Sequence, residues 1–272
     1  MSEVLTDHRA GAPLPAGSLL AALLLGLAGG AWLISARLAM PDMRLGVLTG
    51  GSMMSTRGQM GMPGSMSMGP SAFIAAWTVM MAAMMVPSLV PAARTFDTWA
   101  RSAGRSGGAT TLMIAGYLLV WSAIGGVAYL VVSALQGWFP TESTTALRIG
   151  ALLLVVAGVY QLTPSKRACL RHCRSPHMGE APRMISRARG HADAMRAGLW
   201  RGVYCLGSSW LLMLVLLLVG MMNLAWMGII AGFIFIEKVM PSGDVVSKVG
   251  GWGLAGWGMI LLAAPHTLPA LV

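Results

Sequence analysis

"ATTLMIAGYLLVWSAIGGVAYLVVSAL", residues 109–135, runs for 27 residues without one Asp, Glu, Lys or Arg. About 20 consecutive apolar residues carry a helix across the ~30 Å hydrocarbon core of a bilayer, so this stretch has length to spare. It is unbroken rather than alternating, which argues for a helix and against a strand of an outer-membrane barrel. Working outward, residues 17–39, 71–90, 146–162, 202–220, 224–240 and 251–264 repeat the pattern. Together they predict an all-α fold, a polytopic transmembrane helical bundle of about seven spans. The first stretch is too long in its apolar core, and too weakly basic before it, for a cleaved secretory leader.

Composition agrees. The chain has 272 residues, 56% hydrophobic and only 10% charged, where soluble domains carry about one quarter charged residues. Net charge is +10, yet nucleic acid is not an expected partner, because no folded soluble module is left over to bind it. Nine of the nineteen Lys and Arg fall between Lys166 and Arg201. In a membrane chain such clusters lie on the cytoplasmic side. The expected layout is a short cytoplasmic N-terminus (1–16) and one transmembrane domain (17–272). That domain carries an outer Met-rich loop at 40–70 and a cytoplasmic basic loop at 164–201, in a bacterial inner (cytoplasmic) membrane. The bilayer is the first expected partner. The basic loop, which also suits anionic headgroups, is a possible docking place for a protein. Small-residue pairs Gly26/Gly30, Gly198/Gly202 and Gly228/Gly232 have the four-residue spacing of close helix packing in lipid.

Chemistry concentrates in four places. The outer loop, "MMSTRGQMGMPGSMSMGP" (53–70), offers Met60, Met62, Met66 and Met68 as two Met-x-Met pairs. Thioethers are soft, neutral ligands suited to Cu(I). In "WTVMMAAMMVP" (77–87), Met80 and Met84 share one helical face and Met81 and Met85 another. Pro87 is expected to bend that helix. Met is also ordinary flexible core filler. The stretch "YQLTPSKRACLRHCRSPH" (160–177) holds Cys169, His172, Cys173 and His177. Cys-x-x-x-Cys puts two thiols one turn apart, and thiolate with imidazole suits Cu(I) or Zn(II). Lys166, Arg167, Arg171 and Arg174 beside them favour thiolate. Finally "GLWRGVYCLGSSW" (198–210) places Cys205 near the inner face, at the level of the loop cysteines, with Ser208 and Ser209 following. Glu237 and Lys238 fall near the inner end of their span and are expected to reach toward the headgroups. No GxxxxGK[ST], HExxH, GxSxG or CxxCH occurs, so ATP-driven, protease, lipase and haem chemistries lack their motifs.

"YQLTPSKRACLRHCRSP", "GLWRGVYCLGSSW", "MMNLAWM" with a following "EK", and "WTVMMAAMMVPS" together resemble a bacterial family of predicted metal-binding integral membrane proteins, a domain-of-unknown-function family. The resemblance runs from about Trp77 to Pro241 and implies a polytopic helical inner-membrane protein with a metal site. Members often read YCLGCCW where this chain has YCLGSSW within "GLWRGVYCLGSSW", keeping Cys205 and Gly207 but having Ser208 and Ser209. The stacked Met pairs also resemble the Met-x-x-x-Met rung of eukaryotic copper-uptake channels, one short motif on a different helix count.

The function expected is binding or passing of a soft metal ion, Cu(I) before Zn(II), between the Met-rich loop and the Cys/His cluster, without catalysis. The alternative is a non-catalytic membrane scaffold or assembly factor that holds a partner on the basic loop. A thiol-redox enzyme would need Cys169 and Cys173 to close a disulfide within one helix, which is strained.

Overall fold

The computed structural model describes residues 16–38, 69–104, 108–135, 144–174, 191–219 and 224–263. The described residues are helical throughout apart from short turns. In chain order the helices are α1 (Ala16–Leu38), α2 (Pro70–Ser102), α3 (Gly108–Leu135), α4 (Thr144–Leu162), α5 (Pro164–Arg174), α6 (His191–Val219), α7 (Leu224–Val239) and α8 (Gly243–Ala263). The all-α expectation holds, and each apolar stretch falls on its own helix. Five of them, α1, α2, α3, α6 and α8, are long and apolar enough to cross a membrane; α4 with α5, as one broken span, makes six. α7 has 16 residues, about 24 Å of helix at ~1.5 Å per residue, and falls short. The helices thus support five or six crossings where seven were expected. Faces that meet no other helix are apolar: Leu23, Leu33, Leu130, Val249, Trp252 and Ile260 are all exposed. That is the surface a bilayer requires.

Three boundaries differ from the expectation. α2 does not stop at residue 90 but runs on through Pro87 and Pro91 to Ser102, so Arg94 and Arg101 ride on a helix. The basic stretch 164–201 is not loop throughout, since Pro164–Arg174 is α5 and α6 begins at His191. The break between α4 and α5 has a local cause. Pro164 has no N–H to continue the ladder, and Thr163 acts as an N-cap, its Oγ1 accepting from Lys166 N at 3.3 Å. The two helices meet at 64°.

Pro87 leaves the carbonyl of Ala83 without its usual helical donor. Trp32 of α1 fills the gap, its Nε1–H donating to Ala83 O at 3.1 Å. An unpaired carbonyl in apolar surroundings costs about 1–3 kcal/mol. Trp32→Phe is therefore expected to destabilise the α1–α2 contact by that order. In a Pro87→Ala background, where residue 87 can donate to Ala83 itself, the same change should cost less. A double-mutant cycle on thermal midpoints in detergent checks it.

Helix pairs close through glycine. α3 meets α6 where Gly198 lies against the Met113 carbonyl and Gly116 against the Met195 carbonyl, with Val120 beside Gly202. α4 meets α8 where Gly158, Gly251 and Gly258 meet backbone of the opposite helix. Of the predicted pairs, Gly198/Gly202 is an interface. Gly26, Gly30 and Gly232 have nothing within 4 Å of where a Cβ would be, and Gly228 only Trp32 at 3.9 Å. At the α2–α3 turn the buried Asp97 accepts from Thr110 Oγ1 at 2.9 Å and from Arg101 Nε at 2.7 Å, which satisfies both carboxylate oxygens.

Candidate metal centre

Five helices converge on a small cavity of about 10 Å³ lined by Ser88, Leu89, Tyr117, Cys173, Arg201, Cys205 and Lys238. That is room for about one water-sized atom. Cys205, on α6, is buried and sits at its centre. Its Sγ lies 3.0 Å from Tyr117 Oη on α3, 4.0 Å from Met85 Sδ on α2 and 2.9 Å from Lys238 Nζ on α7. Cys173, on α5, lines the same cavity and is 8% exposed. Two thiols from separate helices therefore line one small space, and a thioether from a third helix, Met85, lies against one of them. Thiol and thioether donors in a narrow pocket suit a soft monovalent ion such as Cu(I). Among the described residues no three His, Cys, Asp or Glu side chains gather as a metal cluster, so the set depends on the methionine sulfur.

The neighbours explain how these groups are held. Arg201 donates to the Cys173 carbonyl at 2.6 Å, covering the C-terminal end of α5. Arg174 reaches from α5 to the carbonyls of Met240 and Pro241 and to Asp244. Lys166 and Glu237 form an ion pair at 2.5 Å with both side chains 1% exposed. α5 is thus fastened across the end of α7, and Cys173 is fastened with it.

The residues expected from sequence divide. Cys173, Cys205 and Met85 come together. Met80, Met81 and Met84 are buried in α2, but Met84 lines an apolar groove between α1, α2 and α7 floored by Gly228 and Gly232. Cys169 is half-buried and faces Gly207, where an added Cβ would come within 2.9 Å of its sulfur; it does not line the cavity. His172 is not among the residues that line the cavity. It is exposed, stacks on Tyr204 with ring centroids 4.5 Å apart, and bonds the Ala168 carbonyl of the preceding turn through Nδ1. His177, Met60, Met62, Met66 and Met68 lie outside the described residues. Ser208 and Ser209 donate to the Cys205 carbonyl at 2.8 and 2.7 Å, so both hydroxyls are engaged by the backbone. Ser208 Oγ still lies 3.9 Å from Cys173 Sγ.

Two expectations are corrected. Glu237 and Lys238 do not reach to headgroups; they are 0% and 7% exposed. Two of the cations expected to act on the thiols are engaged elsewhere, Lys166 with Glu237 and Arg174 with the α7–α8 turn, while Arg201, at the end of the basic stretch, lines the cavity with both thiols. The cation that touches a thiol is Lys238, 33 residues from Cys205 in sequence. The one sequence signal for it was a Glu–Lys pair in an otherwise apolar span, a costly placement in a membrane.

No curated protein and no solved structure matches this chain. A family model described as PpoB2, copper chaperone, matches residues 74–261, from α2 through nearly all of α8. With a match over well more than half of its length, the chain belongs to the PpoB2 copper chaperone family.

Proposed function

We propose that this is an integral membrane copper carrier of the bacterial inner membrane, with its N-terminus cytoplasmic, that holds Cu(I) among Cys173, Cys205 and Met85. The observation that supports it is that Cys173 of α5 and Cys205 of α6 line one cavity with Met85 Sδ of α2 4.0 Å from Cys205 Sγ, in a chain whose family is described as a copper chaperone. Cu(I) is cargo here. The Met-rich loop 40–70 collects it, the remaining α2 methionines line its way, and the three sulfurs retain it until a recipient takes it. Cys169, His172 and His177 then serve transfer rather than retention, toward a protein partner docking on the basic cytoplasmic face. A low-coordinate sulfur set binds Cu(I) firmly without the octahedral or oxygen-rich demands that harder ions make.

The test is Cu(I) affinity of the purified protein in detergent, measured anaerobically against a chromophoric Cu(I) chelator. Cys205→Ser and Cys173→Ser should each weaken binding at least tenfold. Met85→Leu should weaken it by less, and Cys169→Ser, off the cavity, should leave it within about twofold. Affinity unchanged by both Cys205→Ser and Cys173→Ser overturns the proposal.

A further inference from the structure

The geometry points to Lys238 as a tethered monovalent cation that holds the copper position in the metal-free protein and makes the cavity selective for Cu(I) over divalent ions. The inference rests on the copper-binding reading of the cavity and adds a residue that is not itself a ligand. Lys238 Nζ donates to Cys205 Sγ at 2.9 Å and lies 3.8 Å from Met85 Sδ. The ammonium therefore sits against the same two sulfurs that would bind the ion. A metal–sulfur bond is about 2.3 Å long, so a metal on Cys205 and the ammonium cannot share that approach. Copper enters as Lys238 leaves.

Charge decides which ions can make that exchange. With Cys205 as the thiolate and Cys173 keeping its proton before and after, Cu(I) for ammonium is one positive charge for one, and the buried cavity keeps its net charge. A divalent ion in the same place leaves the cavity one unit more positive. An uncompensated charge in low-dielectric surroundings is expensive. A further cation nearby adds to the penalty, since Arg201 lines the cavity, and the neighbouring carboxylate, Glu237, is already paired with Lys166. The displaced side chain has a destination. Lys238 is in the last turn of α7, where the helix end presents its negative dipole and its free carbonyls, and a four-carbon stem can carry the ammonium to the membrane face.

Two measurements test it on the full-length protein. Cu(I) and Zn(II) affinities are compared for wild type, Lys238→Gln and Lys238→Arg. Lys238→Gln should bind Zn(II) at least tenfold more tightly and lose Cu(I)/Zn(II) discrimination by about that factor, while Lys238→Arg keeps the wild-type ratio. Independently of any variant, Lys238 in the wild type should resist an amine-acylating reagent without metal and become labelled, by mass spectrometry, once Cu(I) is loaded. A ratio within twofold of wild type in Lys238→Gln, or labelling of Lys238 that does not rise with copper, overturns the inference. If wild type binds Cu(I) through Cys205 and these results are negative, the exchange role alone fails. If Cys205→Ser binds Cu(I) as well as wild type does, the copper reading of the cavity fails first.

Discussion

Glu237→Leu should be among the most damaging single changes in the described helices, at about 3–5 kcal/mol, the cost of leaving a buried charge without its partner. Lys166 Nζ and Glu237 Oε1 are 2.5 Å apart, and each side chain is 1% exposed. Removing the carboxylate strands the ammonium between α5 and α7 with no water to solvate it. The pair itself is not a bargain. Desolvating two charges costs several kcal/mol per ion, and Glu237 Oε2 has no hydrogen-bond partner among the described residues. An apolar pair of similar size should therefore hold the helices about as well. Lys166→Met added to Glu237→Leu is expected to recover most of the loss, and thermal or chemical denaturation in detergent measures both. A double variant no more stable than Glu237→Leu would show that the charge pair contributes something packing cannot replace. A structural loss also has a chemical readout. With α5 loosened from α7, Cys173 leaves the cavity it shares with Cys205, so Cu(I) binding should weaken in Glu237→Leu and return in the double variant.

Much of the fold was legible because an apolar run of the right length has few alternatives in a bilayer. α3 was expected from residue 109 and begins at Gly108; α1 was expected at 17–39 and spans Ala16–Leu38. What misled was polarity at helix ends. Ending the span at residue 90 left Arg94 and Arg101 outside it, but a helix can leave the hydrocarbon region and continue, and Pro91 did not end α2 because prolines in such helices are accommodated by neighbouring groups, as Trp32 does for Pro87. The site was half legible. Cys-x-x-x-Cys put two thiols one helical turn apart, but spacing alone could not say that Cys173 lines the cavity while Cys169 packs on Gly207. Lys166 and Lys238 looked like topology signals. Both are buried because each meets a partner far away in sequence, Glu237 and Cys205, and separations of 71 and 33 residues leave no local trace.

Gly198→Val should separate α3 from α6, whereas Gly26→Val should be nearly silent, although both glycines open a small-residue pair of the same spacing. At Gly198 an added Cβ would strike the Met113 carbonyl and approach Tyr117 N within 3.0 Å. These are backbone atoms of a packed helix and cannot rotate aside. Overpacking of this kind costs about 1–3 kcal/mol and often more, against a gain of at most ~1 kcal/mol from replacing a helical glycine. At Gly26 nothing lies within 4 Å, so the side chain enters lipid-facing space and only the propensity term is left. Thermal midpoints of the two variants in the same detergent should differ by several degrees, with Gly198→Val lower. The consequence extends to the metal centre, because the α3–α6 contact sets the position of Tyr117, whose Oη lies 3.0 Å from Cys205 Sγ. Moving α3 by even an ångström widens the space that five helices close. Cu(I) affinity in Gly198→Val is accordingly expected to fall by at least tenfold while Gly26→Val keeps it. Equal affinity in the two would mean that the sulfurs hold copper without needing the helix packing around them.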